Sequence, residues 1–402
     1  MRNVIVAYVS AVVLLAGFAI GAGVLVLRDS ESSAAEDHTF SIVSWEIEHF
    51  PEKWLFKIGG FFGGPDRPEG EDSDILERYF NLTARIEAVT STDPASDELP
   101  ALEEERAWLE NSVEDIIEGR MTAVLEDEGL ALEPPIFSDL GLIFPPVDFE
   151  FDKPPHVLAT SPRDLISLKS DDLLTPGIEP GEIEEIEAEA EANGDTSALI
   201  VPTGGVATYP TIVSDLRPYE SLIELLFHEW THQYLAFFPL GSSYFEGGDA
   251  RTLNESVANL AGRELAAAYF DRYESLAPPD EPIPTPQPTT QPDPSFDFRS
   301  EMRTLRRAVD LLLELGHVEA AELLMNDKRD QFEERGVYIR KLNQAYFAFY
   351  GSYADTPASI DPIGPKLELL LENTGSPGEF LRTVSAITTR AELNELLGQT
   401  GP

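Results

Sequence analysis

The sequence predicts a mainly helical α+β domain behind an N-terminal transmembrane helix. Three observations carry that expectation. Residues 4–27 contain no charged side chain. Two strongly helical apolar patterns, over 221–238 and 251–270, stand close together in the middle of the chain. Short β-prone runs, HVLATS, DLISLK and ALIVPTG, precede them and read as the strands of one small mixed sheet.

In chain order, the first region, 1–28, is the anchor. VIVAYVSAVVLLAGFAIGAGVLVL has 24 uncharged positions, and at 1.5 Å per residue it spans a hydrocarbon core of about 30 Å. A cleaved signal peptide has a shorter apolar stretch, of about 7–15 residues. Arg2 and the terminal amine favour an N-terminus inside, which places the rest of a single-pass chain outside the cytoplasm. Residues 29–72 form a polar juxtamembrane segment with an aromatic island at 54–64. Residues 73–134 form an N-terminal helical region, with acidic helices over 73–92 and 97–128 as antiparallel partners. The NLT sequon at 81–83 falls inside the first of these helices, where a glycan is not expected.

Residues 135–277 form the core that holds the candidate chemistry. SLIELLFHEWTHQYLAFF is an apolar helix interrupted by His228, Glu229 and His232. Histidines four apart share one helical face, so both imidazoles can reach one metal ion, and Glu229 sits beside the first to take a proton from a bound water. The bland alternative is a set of polar residues closing a helix face by hydrogen bonds. On the next helix, Leu253, Val257, Leu260, Ala261 and Leu265 form the apolar stripe, and Glu255 follows His232 by 23 residues. A catalytic zinc site typically has three protein ligands and an open position, and His2Glu is one such set. Glu255 is therefore the candidate third ligand for Zn²⁺. Asn259, one turn beyond it, can hydrogen-bond a ligand imidazole, and Asn254 is the other candidate supporting residue. Gly204 to Tyr209, with Gly205, Val206 and Ala207, is a candidate exposed edge strand whose glycines allow close backbone approach, a plain loop being the alternative.

HEWTH followed by NESVAN resembles the gluzincin metallopeptidases, whose third ligand comes from an Asn-Glu pair on the next helix. More narrowly, TSPRDLISL (160–168), YPTIVSDLRPYESLIELLFHEWTHQYL (209–235) and RKLNQAYFAFYGSYA (340–354) resemble a bacterial family labelled predicted aminopeptidases. The likeness covers roughly residues 135–390. It implies a gluzincin-like zinc peptidase domain acting on peptide or protein substrates, with the edge at Gly204 to Tyr209 pairing with a substrate backbone. By the family's L-N-N-A…Y pattern, matched here by Leu342, Asn343, Gln344 and Ala345, it implies Tyr353 as the residue that steadies the oxyanion. Tyr346 and Tyr350 lie on the same aromatic helix. One departure matters: a well-known aminopeptidase branch carries a G-x-M-E-N strand for the substrate's free amine, and GGVATYP stands in its place. Aminopeptidase activity therefore rests on the resemblance alone.

The Pro-rich segment 278–295, with eight prolines in eighteen positions, reads as an extended surface spacer, with partner docking as the minority reading. Residues 296–402 form a C-terminal helical part of the same domain, with helical pattern throughout 299–350. His156 and His317 have no metal-like spacing partner and read as structural.

Composition bounds the alternatives. A net charge of −45 repels nucleic acid, which excludes DNA or RNA as partners. With no cysteine there is no disulfide framework, thiol nucleophile or Cys-based zinc site. A catalytically silent envelope scaffold with a structural zinc is the alternative to an enzyme.

Overall fold

The computed structural model describes residues 70–130, 145–276, 296–354 and 356–400, with scattered positions between 35 and 45. The proposed anchor at 4–27, the aromatic island and the Pro-rich segment lie outside the described residues. Among the described residues no helix is long and apolar enough to cross a membrane.

Helices α1 (Glu71–Thr92) and α2 (Leu99–Asp127) pack antiparallel. Arg78 meets Glu105 at 2.6 Å and Arg85 meets Glu98 at 3.0 Å, so numbers rise on one helix as they fall on the other. Their facing sides bury Leu76, Tyr79, Val113 and Ile117 completely. The sequon lies within α1, with Thr83 buried.

The β region is two three-stranded sheets where the sequence suggests one. In the first, β2 (His156–Pro162) lies between β3 (Ser170–Leu174) and β4 (Thr196–Pro202), all antiparallel. The second has the order β1 (Phe149–Phe151), β6 (Thr211–Val213), β5 (Gly205–Val206), with β1 parallel and β5 antiparallel to β6. The break falls after Thr203, whose N–H still donates to the Pro155 carbonyl at 3.1 Å, and before β5 begins at Gly205. Helix α3 (Pro180–Ala190) connects β3 to β4.

DLISLK is not a strand, which corrects the sequence expectation. The segment loops out between β2 and β3. Ser161 Oγ donates to the Leu165 carbonyl (3.0 Å) and accepts from the Ser167 N–H (3.2 Å). Ile166 packs against the C-terminal helices, and Leu168 packs on a cluster formed by Val157, Ala159, Leu199 and Val201 of the first sheet with Ala345 of the C-terminal part.

Side chains close two of the four sheet edges. On β1, Glu118 and Glu114 of α2 accept from the Phe149 and Phe151 N–H groups at 3.1 and 3.0 Å. On β4, Glu191 and Glu187 accept from Ala198 and Ile200 N–H at 2.9 and 2.6 Å. Asn343 and Arg340 donate to the carbonyls of those same two residues at 2.9 and 2.8 Å. The remaining edges, β5 and the Ser170–Asp172 end of β3, both border a single cleft.

Helix α4 (Tyr219–Leu235) carries the two histidines. Short helix α5 (Pro239–Ser242) and a 3-10 turn (Tyr244–Glu246) lead into α6 (Gly248–Arg272). Helices α4 and α6 run antiparallel: Tyr219 meets Tyr269 through their hydroxyls (2.7 Å) at one end, and His232 meets Asn254 (2.6 Å) at the other. All five residues of the expected apolar stripe on α6 are buried.

The C-terminal part begins with a hairpin of α7 (Phe298–Glu314) and α8 (Val318–Glu334), turned at Gly316 with φ 74°. Helix is not continuous to 350 as the pattern suggests. Residues 335–343 are irregular because Arg340 and Asn343 are drawn onto the β4 edge, and α9 (Gln344–Tyr350) starts only after them, capped by Asn343. Three further helices, α10 (Ile363–Thr374), α11 (Pro377–Val384) and α12 (Arg390–Thr400), join one hydrophobic core with α1, α2, α4 and α6. The last helices of the chain thus brace the helices that carry the candidate ligands.

Candidate metal centre

A 3.6-residue period decides which side chains of α4 face the cleft. Trp230 is 2% exposed, with its indole N–H donating to the Pro145 carbonyl at 3.0 Å. Phe227, Thr231 and Tyr234 are also buried, and Gln233 donates to the Thr208 carbonyl at 2.6 Å and to Thr211 Oγ1 at 2.9 Å. With those residues committed to core and sheet, His228, Glu229 and His232 are left lining the cleft.

Helix α6 can bring its own polar residues to them because of Gly262. A β-carbon at that position would lie 3.0 Å from the Glu224 carbonyl oxygen and 3.1 Å from the His228 nitrogen, so any other residue would press on the α4 backbone and glycine gives the closest approach. The contact brings Asn259 within hydrogen-bonding range of the His228 side chain and Glu255 between the two imidazoles.

The resulting geometry is a compact donor cluster. His228 and His232 Nε2 are 3.0 Å apart, and Glu255 Oε2 lies 3.9 and 3.4 Å from them. Ligands on a tetrahedral ion with bonds of about 2.0–2.2 Å are separated by roughly 3.4 Å, so the three atoms fit three vertices of such a site. Among the described residues Glu255 Oε2 is buried without a hydrogen-bond partner, an arrangement that is costly unless a cation satisfies it. His232 Nδ1 pairs with Asn254 Oδ1 at 2.6 Å; the amide oxygen can only accept, so Nδ1 carries a proton and Nε2 is the nitrogen turned to His228 and Glu255. Together these features fit a divalent metal ion held by His228, His232 and Glu255. Glu229 also lies close, its carboxylate within 4.8 Å of both histidine donors.

The two carboxylates differ in electrostatic setting. Burial, reinforced by the neighbouring Glu255, pushes Glu229 up to about 7, against the lowering effect of His232 and Arg217. Glu255 is also penalised by burial, yet the imidazoles of His232 and His228 hold it well below the usual carboxylate range. Burial and the nearby His232 push His228 down to about 3, whereas Glu255 outweighs burial at His232 and raises it to about 9. One carboxylate is a committed anion and the other is poised to exchange a proton near neutrality.

Tyr353 reaches this site although it is not on the aromatic helix, which ends at Tyr350. The turn that follows is tied down by the Ala354 N–H, which donates to Ser256 Oγ (3.0 Å), next to Glu255. The Tyr353 phenol faces Glu255, and burial with that carboxylate raises its pKa well above the ordinary value. Tyr346 and Tyr350 pack with the C-terminal hydrophobic cluster. On strand β2, His156 Nδ1 lies 3.4 Å from the Thr175 carbonyl, and His317 precedes α8; neither belongs to the donor cluster.

Gly205 and Val206 form edge strand β5, and Ala207 falls just beyond it. All three border the cleft, which has a volume of about 1600 Å³. A β-carbon on Gly205 would stand 3.2 Å from Glu229 Oε1, so the strand lies directly against that carboxylate.

Sequence reasoning missed Tyr244, whose hydroxyl donates to Glu255 Oε1 at 2.5 Å. Arg251 stacks over the Tyr244 ring at 5.0 Å and pairs with Asp171 of β3 at 2.6 Å. This chain holds the Glu255 carboxylate with Oε2 turned to the histidines. Its only sequence signal is an aromatic residue in the Gly- and Ser-rich connection GSSYFEGG. Comparison with protein-family models, curated proteins and solved structures found no match to this chain.

Proposed function

We propose that the protein is a zinc-dependent peptidase, tethered to a membrane through residues 4–27 with its domain outside the cytoplasm, that hydrolyses peptide bonds in the cleft beside α4. The observation that carries this reading is the pairing of a three-donor cluster, His228, His232 and Glu255, with a second buried carboxylate, Glu229, within 4.8 Å of both histidine donors. Zinc bound by those three side chains would supply Lewis acidity and lower the pKa of a water.

The chain's own residues do the rest. Glu229 accepts the proton of the attacking water on its carboxylate and returns it to the nitrogen of the leaving amine. Tyr353 Oη donates to the carbonyl oxygen as charge develops there. The outer edge of β5 pairs with the extended substrate backbone and sets the scissile bond over Glu229. Tyr244 keeps Glu255 turned to the histidines, and Asn254 keeps the His232 tautomer. Cleavage from the amino end follows from the family resemblance, but residues 204–210 contain no carboxylate to receive a free amine.

The test is metal content and peptide hydrolysis on detergent-solubilised full-length protein beside Glu229→Gln. One zinc per chain, with turnover lost in the variant while zinc remains, is the expected result. Zinc without turnover on a diverse peptide library would leave a silent structural site, and absence of zinc after metal reconstitution would remove the reading.

A further inference from the structure

Arg217 stands immediately before α4, half-buried in the wall of the cleft. Acids outnumber basic residues 73 to 28 in this protein, and the other cleft arginines are matched: Arg251 with Asp171 and Arg306 with Asp310. Its backbone N–H donates to the Ser214 carbonyl at 3.4 Å, but its guanidinium makes neither a hydrogen bond nor an ion pair among the described residues. Its nearest acids, Glu229 and Glu224, act on it only through space, and burial lowers its pKa. A guanidinium carries five donors, and leaving them unpaired in a partly desolvated wall is costly unless a ligand supplies acceptors.

Its position relates it to the reaction centre. A β-carbon on Gly204 would lie 2.8 Å from Arg217 Nη2, and one on the next residue, Gly205, 3.2 Å from Glu229 Oε1. The cation and the base therefore flank consecutive residues of the edge segment. Successive Cα atoms are about 3.8 Å apart, so a group held by Arg217 sits within one or two residues of a bond attacked beside Glu229. The two glycines leave the approach to both side chains open.

Resting on the peptidase reading above, we propose that Arg217 is a specificity residue that binds a carboxylate of the peptide substrate. The planar fork of guanidinium donors matches a carboxylate in bidentate geometry. The carboxylate is either the peptide's C-terminus or an Asp or Glu side chain near the scissile bond. In the first case the enzyme trims from the carboxyl end; in the second it cuts beside acidic residues. In both, the local positive site works against the negative field of the remaining surface, which makes recognition short-ranged.

Binding tests this without depending on turnover. Full-length Glu229→Gln protein, zinc-loaded, is titrated with N-acetyl-pentaalanine, its C-terminal amide, and two amidated versions carrying a central Glu or Gln. The same titrations follow with Arg217→Gln and Arg217→Lys added. We expect at least about tenfold tighter binding of one carboxylate peptide than of its neutral partner. Arg217→Gln abolishes that preference, Arg217→Lys keeps part of it, and the neutral peptides bind both variants as before. Preference for the free C-terminus assigns the first source, and preference for Glu the second. Equal binding of all four peptides, or a preference that survives Arg217→Gln, overturns the proposal. Hydrolysis by the parent protein is read separately: peptide turnover without carboxylate preference removes only the role of Arg217. Carboxylate preference without turnover removes only the peptidase reading.

Discussion

Asn254 Oδ1 accepts a 2.6 Å hydrogen bond from Nδ1 of His232. That one contact between neighbouring helices orients the imidazole and fixes the nitrogen that is free to bind an ion. Asn254→Ala should weaken zinc binding about 10–100-fold, as loss of such supporting partners generally does. Competition against a chromophoric chelator measures it, with circular dichroism to check the fold. An unchanged affinity would mean that the His232 tautomer is set by another group.

Gly262 predicts a linked effect on stability and metal. Gly262→Ala puts a methyl group 3.0 Å from the Glu224 carbonyl and 3.1 Å from the His228 nitrogen. Neither backbone atom can swing aside, so α6 must retreat at a cost of about 1–3 kcal/mol. Thermal denaturation should show a lower Tm in both apo and zinc-loaded protein. Zinc affinity should fall as well, because Glu255 and Asn259 move with the helix. A variant as stable as the parent would show that the helices have slack here.

Tyr244 and Tyr353 both face Glu255, yet they should fail differently. Tyr353→Phe removes the proposed donor to the developing oxyanion, and kcat should drop about 100–1000-fold with zinc content intact. Tyr244→Phe frees Glu255 Oε1 from its 2.5 Å hydrogen bond, and zinc affinity should fall first. Measuring zinc content and kcat on both variants separates the roles; the opposite pattern would exchange them.

Acid should unfasten the β4 edge. At Glu187 burial opposes ionisation, but Arg340, Lys341 and the Ile200 N–H outweigh it and hold the carboxyl below its ordinary range. The folded pKa is therefore lower than the unfolded value of about 4.3. The stability it contributes is complete above the unfolded pKa and is lost as pH falls through the folded pKa. Glu187→Gln should cost about 1–3 kcal/mol near neutrality. The Tm gap between parent and variant should hold down to roughly pH 5 and narrow below it. A gap independent of pH would show that the pair contributes through packing alone.

Local periodicity made the centre of the site legible. Two histidines four apart share a face in any α-helix, and Glu229 between them needs no tertiary information to be placed. The α6 stripe from Leu253 to Leu265 likewise follows from helical period and is buried as expected. The misreadings occurred where an apolar pattern had two possible partners. Ile166 and Leu168 alternate like strand residues, yet they lie on a loop, Ile166 packed on the C-terminal helices and Leu168 on the face of the first sheet and Ala345. Residues 335–343 look helical, but Arg340 and Asn343 are taken up by open backbone groups of β4, far away in sequence.

The sequence by itself therefore determined the helix that carries His228, Glu229 and His232 and the amphipathic partner that carries Glu255, because both depend on spacing within one helical turn or two. Only the tertiary structure decided that Glu255 Oε2 lies 3.4 Å from His232, that Tyr244 restrains it from the connecting turn, and that among the described residues the Arg217 guanidinium in the cleft wall has no ion-pair partner. Those relations depend on how closely α4 and α6 approach at Gly262 and on which strand edges are already closed. Both are outcomes of long-range packing, which sequence spacing does not encode.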